Sequence, residues 1–119
     1  MAAPNIVNVS TITGKTAIQT PTTTPTDIVV NSAASNQLHK IESLVISNIN
    51  ATTVANITAS LFRSSVEYKI AHQIVVPVAG SLVVISKDSM LYLEEGDSLR
   101  LTAGTNSILH AVCSYEIIS

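Results

Sequence analysis

VEYKIAHQIVVP, Val66 to Pro77, is the stretch that decides the fold class. Val66, Tyr68, Ile70, His72, Ile74 and Val76 fall on one side of an extended chain, and Glu67, Lys69, Ala71 and Gln73 on the other. A period of two is the mark of a β-strand, whose successive side chains point to opposite faces. Pro77 ends the run, because proline has no N–H to give to the ladder.

The same signal extends in both directions. LHKIESLVISNIN predicts a strand with Ile41, Val45 and Ile49 on one face and Leu44 and Ile46 on the other. NITASLFRS sets Ile57, Ala59 and Leu61 against Thr58, Ser60 and Phe62. GSLVVIS reads as a buried strand and MLYL as a short one. SLRLTA alternates Leu99, Leu101 and Ala103 with Ser98, Arg100 and Thr102. ILHAVCSYEII faces Leu109, Ala111, Cys113, Tyr115 and Ile117 inward and His110, Ser114 and Glu116 outward. Short strands at regular spacing, separated by Gly, Asn, Ser and Asp, predict an all-β antiparallel sandwich or jelly roll, spanning residues 36–119.

The first 35 residues read differently. NIVNVSTIT alternates, PTTTPT favours extended or polyproline conformation, and TDIVVNS is another short strand. Residues 1–35 are therefore expected to form an extended N-terminal arm and linker. Ile6, Val7, Val9 and Ile12 are its candidate contact residues.

A chain of 119 residues is one domain, long enough to bury a core without metal or disulfide. Charged residues are only 12%, about half the usual share of roughly 25%. A surface this neutral is expected to meet other protein. The net charge of −2 and the scattered basic residues leave no footprint for nucleic acid or an anionic membrane. The longest apolar tract, Ile74 to Ile85, is interrupted by Pro77, Gly80 and Ser81 and too short to span a bilayer. MAAPNIVNVS shows neither a basic segment nor an apolar core, so no secretory signal is expected. The single Cys113 excludes an internal disulfide.

Chemistry-bearing patterns are sparse. LEEGD gathers Glu94, Glu95 and Asp97 around Gly96. Calcium loops space their ligands over about twelve residues, and glycosidase carboxylates face one another across a cleft. The cluster is therefore read as a structural turn, with Gly96 supplying positive φ and Asp97 a backbone hydrogen bond. TGKT, Thr13 to Thr16, resembles the tail of a phosphate-binding loop, but Val9 stands where the first glycine is required and no helix follows. His110 and Cys113 point to opposite faces of one strand, and no base accompanies the thiol. No catalytic residue, cofactor or metal is expected. Rings for stacking sugars or single-stranded nucleic acid are few, with no tryptophan.

Three segments carry a family resemblance: SLVISNINATTVANITASLFRSS, LYLEEGDSLRLTA and the terminal AVCSYEIIS. Together they resemble small virion structural proteins of tailed bacteriophages, especially those of marine and cyanobacterial hosts. The resemblance covers about two thirds of the chain and leaves Met1 to Ser35 unmatched. It implies a non-enzymatic β-sandwich in a virion assembled in the bacterial cytoplasm. The expected role is a capsid decoration (cement) protein that bridges major capsid protein subunits as a symmetric oligomer, such as a trimer. A neck, tail or fibre accessory is the near alternative. A glycan- or receptor-binding module using the loops Ser86 to Met90 and Gly104 to Ser107 is a more distant one.

Overall fold

The computed structural model describes residues 11–119 as two antiparallel sheets packed face to face. The strands are β1 (Ile12–Gln19), β2 (Thr26–Val30), β3 (Leu38–Asn48), β4 (Ala55–Arg63), β5 (Val66–Val76), β6 (Ser81–Ile85), β7 (Leu91–Leu93), β8 (Ser98–Ala103) and β9 (Leu109–Ile118). A single 3₁₀ turn, Lys87–Ser89, separates β6 from β7. Sheet A has the order β1-β9-β3-β6, with β7 also on β3; sheet B has the order β2-β8-β4-β5.

The order follows from folding the chain back on itself once. β4 pairs with β5, β3 with β6 and β7, β2 with β8, and β1 with β9. Rolling this long hairpin then joins β9 to β3 and β8 to β4. The result is a jelly roll, in which nested pairs close two Greek keys. The fold-back is the two-residue Ser64–Ser65 turn, with φ of 53° and 62°. Positive φ at both central residues marks a type I′ turn, whose twist suits flanking strands.

The core lies between the sheets, where Ile41, Leu44, Ile46, Ile57, Leu93, Leu99, Leu101 and Leu109 are fully buried. Each such side chain stabilises the fold by about 1.5–3 kcal/mol relative to exposure. β4 and β8 face as their alternation predicts, as does β9 from Leu109 to Tyr115; at its end Ile118 is buried and Ile117 only half-buried. β3 does not: the register shift between Ile41 and Ser43 inserts Glu42 as an extra residue. This bulge changes the phase, so Ile41, Leu44 and Ile46 all face the core while Val45 faces out and Ile49 is exposed.

β5 carries two bulges. Ile70 is one extra residue; the other lies at His72–Gln73, where Gln73 has φ 51° and its N–H donates to Thr58 Oγ1 at 3.0 Å. Val66, Tyr68, Ile74 and Val76 keep the same side, but Ala71 replaces Ile70 and His72 on it. Only Val76 is buried, because β5 is an edge strand at the rim. β6 is likewise an edge rather than a buried strand, with Val83 pointing to solvent.

The expected boundary at residue 35 is also corrected. β1 and β2 are integral strands of sheets A and B, so residues 12–30 belong to the sandwich itself. The β1 pattern is too polar to reveal this, and the Pro/Thr-rich link between β1 and β2 reads as a linker. Of the candidate arm residues, Ile12 sits at the start of β1 opposite Ile118, whereas Ile6, Val7 and Val9 lie outside the described residues.

Candidate interaction surface

The outer faces of the two sheets differ in chemistry. On sheet A, the ladder registers align Ile18 with Val112, Val112 with Val45, and Val45 with Val83. These four side chains form one aliphatic row across all four strands, and Ile18 is 79% exposed. Hydroxyl-bearing rows flank it: Thr16, Ser114 and Ser43 on one side, His110, Ser47 and Ser81 on the other. None of these ten side chains is a carboxylate, ammonium or guanidinium. A shallow depression beside Ile18, Gln19, His110 and Val112 interrupts the face near β1.

Sheet B presents a paired-charge face instead. Asp27 on β2 stands opposite Arg100 on β8, whose Nε donates to Asp27 Oδ1 at 3.0 Å. Ser98 Oγ donates to the same oxygen at 3.1 Å. The Arg100 guanidinium lies 3.7 Å above the Phe62 ring, a cation–π contact. On β5, Lys69 pairs with Glu67, and that ammonium holds the Glu67 carboxyl below its usual range. Covering sheet B would strip water from several charges, while covering the aliphatic row of sheet A and its hydroxyl flanks strips it from none; the charges of sheet A, Glu116 and the Lys40–Glu42 pair, lie toward one end of the face.

The acidic turn ties the molecule together at one end. Gly96 has φ 89°, and Asp97 N donates to Glu94 O at 3.0 Å. Asp97 is buried, its carboxylate accepting from Arg63 Nε at 2.7 Å, Arg63 Nη2 at 2.5 Å and Glu94 N at 2.8 Å. It therefore bonds a backbone group three residues back and the end of β4. The Asp97 and Glu94 carboxylates hold the Arg63 guanidinium firmly protonated. Glu94 reaches Arg63 Nη2 at 2.9 Å, and Glu95 accepts from Asn36 N at 3.0 Å. All three acids are thus engaged by chain partners, as struts between loops.

Two buried asparagines that sequence reasoning passed over act similarly at opposite ends of β3. Asn31 Nδ2 donates to Gln37 O at 3.0 Å and Leu93 O at 2.9 Å, and its N–H donates to Asp97 O at 2.9 Å. Asn48 Nδ2 donates to Thr53 O at 3.0 Å and Val76 O at 3.1 Å. Their only sequence signal is position, each at the end of an apolar strand.

The remaining reactive types stand apart. Cys113 is fully buried on the inner face of β9, and burial pushes its thiol up to about 12. His110 points outward from the same strand, and His72 lies on exposed β5. His39 is buried against Tyr115, ring centroids 5.7 Å apart, and desolvation lowers its pKa. TGKT forms part of β1, not a phosphate loop. Among the described residues, no three metal-ligating side chains gather as a site, and no helix is long and apolar enough to cross a membrane.

A comparison with protein-family models finds no match, and none is found among curated proteins. Among solved structures, the chain is similar to one from the Bacillus endospore appendages, described as a novel family of disulfide-linked pili. The two share 15% identity with a TM-score of 0.53, over 91% of this chain and 85% of that one. At that identity the likeness is one of fold: a jelly-roll sandwich aligned along nearly its whole length.

Proposed function

We propose that this chain is a non-enzymatic structural subunit of a phage particle, and within that class a decoration protein that braces adjacent capsid subunits. One observation carries the reading: the uncharged patch on the outer face of sheet A, an aliphatic row from Ile18 to Val83 between two hydroxyl-bearing flanks. With strands about 4.8 Å apart, that row and its two hydroxyl flanks span roughly 14 Å by 14 Å. This is well below the about 800 Å² per partner of a stable pairwise interface, so it suits the centre of a larger footprint. Many copies on one shell would add such weak contacts into particle stability. The resemblance to phage virion proteins, and an architecture shared with an appendage subunit, support the same class.

A filament subunit is the second reading, favoured by the fold likeness to a pilus chain. Disulfide linkage of the kind named for that neighbour does not carry over: the single cysteine is Cys113, buried and held as thiol.

The test is decoration of empty capsids by purified protein, with Val112→Lys in parallel. Val112 points outward, so the variant is expected to fold normally and to lose at least about tenfold in shell occupancy, as a charge now has to be desolvated. Undiminished decoration by this variant would remove sheet A as the contact face. Copy number per virion separates the roles: hundreds for a decoration protein, a dozen or fewer for a neck or tail accessory.

A further inference from the structure

Among the described residues the two sheets have four edges, and three of them are blunted. β2 is five residues long with a bulge at Ile28. β5 has two bulges and carries Lys69. The β6 and β7 edge is split into pieces of five and three residues by the 3₁₀ turn. These are the devices by which native sheets prevent edge-to-edge pairing. β1 is neither short, bulged nor split: its eight residues pair with β9 without a register shift, and Lys15 is the single charge it carries. Ile12 to Thr16 are exposed on both faces, so the ladder to β9 is what holds this half of the strand. We infer that β1 is the docking edge for the β1 strand of a second copy, running antiparallel about a twofold axis at Thr16.

The hydrogen-bond phase fixes which registers are possible. Thr11 N donates to Ser119 O at 3.0 Å and Ser119 N to Thr11 O at 2.9 Å, so Thr11 and Ser119 exchange both bonds. Bonded and non-bonded pairs alternate along an antiparallel ladder. Thr13, Lys15, Ala17 and Gln19 therefore turn their backbone groups toward β9, while Ile12, Gly14, Thr16 and Ile18 turn theirs outward. Two copies can join only in registers that bring outward groups together.

Side chains select among those registers. Pairing Ile12 with Ile18′ would place Lys15 directly opposite Lys15′, a destabilising like-charge contact. Pairing Thr16 with Ile18′ leaves fewer bonds. Pairing Thr16 with Thr16′ sets Gly14 opposite Ile18′ and Lys15 opposite Ala17′. It makes about six backbone hydrogen bonds, two for each of three bonded pairs. Ile18 meets a residue with no side chain, and a Cβ at Gly14 would have nothing within 4 Å. The aliphatic row of sheet A then has its counterpart in the second copy, giving one eight-stranded outer face. This pairing is independent of which particle the chain serves.

The test uses the full chain, sedimentation equilibrium and thermal melting. Wild type is expected at about twice 12.5 kDa at high protein concentration. Thr16→Lys places two ammoniums across the axis and Thr16→Pro removes the outward N–H; both are expected at monomer mass, with melting unchanged at dilutions where the wild type is also monomeric. Thr16→Cys is expected to form a covalent dimer on mild oxidation, since bonded pairs have Cα atoms about 5.5 Å apart, within disulfide range. Thr13→Cys, turned to the other face, should not. A monomeric wild type at millimolar concentration, a dimer that survives Thr16→Lys, or equal cross-linking at Thr13 and Thr16 each overturns the inference. So does a dimer that persists in Thr16→Lys but disappears when residues 2–10 are removed.

Discussion

Replacing Asp97 with alanine is expected to destabilise the fold by about 2–4 kcal/mol, although Asp97 lies in what reads as a surface turn. Its side chain is 2% exposed and accepts three N–H bonds, two from Arg63 and one from the Glu94 backbone. Hydrogen bonds to a charged group contribute about 1.5–3 kcal/mol each. Arg63 is 41% exposed and also holds Glu94, so its guanidinium recovers much of its share from water. The Glu94 N–H cannot follow, and a stranded donor costs about 1–3 kcal/mol. The sum is a large part of a domain stability of about 5–15 kcal/mol. At about 4 °C per kcal/mol for this size, melting should fall by about 8–16 °C. Urea unfolding followed by circular dichroism measures it, with an unchanged m-value showing that the unfolded state is the same. Glu94→Gln is the control: its carboxylate is 65% exposed, and the expected cost is about 0–1 kcal/mol. If Asp97→Ala melts within about 3 °C of wild type, or Glu94→Gln costs as much, the strut reading of the turn fails.

Two further outcomes are expected. Ser64→Asn combined with Ser65→Gly should stabilise the protein by about 1 kcal/mol, since Asn-Gly tolerates the positive φ at both positions of the β4–β5 turn; a lower midpoint in urea would contradict that turn geometry. His39 has a folded pKa below its unfolded value near 6.5. Its contribution is therefore complete above that value and is lost as pH falls through it toward the folded pKa, with a slope of up to about 1.4 kcal/mol per pH unit. His39→Phe, which keeps a ring against Tyr115, should flatten stability between pH 7 and 5, and an unchanged slope in that variant would assign the titration elsewhere.

The architecture was legible wherever one strand face is buried and the other wet. Leu99, Leu101 and Ala103 on β8, or Ala111 and Cys113 on β9, announce their orientation without further information. Four things were not legible. A bulge such as Glu42 shifts every later side chain by one step, yet only the partner strand shows which residue is extra. Edge strands such as β1 and β5 are exposed on much of both faces, so their residues keep little record of the core. β1 reads as part of an arm for this reason. The acidic turn was legible as a turn, but its grip on Arg63 was not, because those residues are 34 apart in sequence. The aliphatic row of sheet A is invisible along the chain, as each of its members belongs to a different strand.

The position of β9 has a consequence for biosynthesis. It emerges from the ribosome after the other eight strands, yet it occupies the middle of sheet A, between β1 and β3. Until it arrives those two neighbours have no common partner, and one wall of the hydrophobic interior stands open. Native structure must therefore form after translation of Ile118 instead of growing strand by strand behind the exit tunnel. A ribosome that stalls ahead of β9 releases a chain unable to complete its central strand, which chaperones and proteases can recognise before it joins any larger structure.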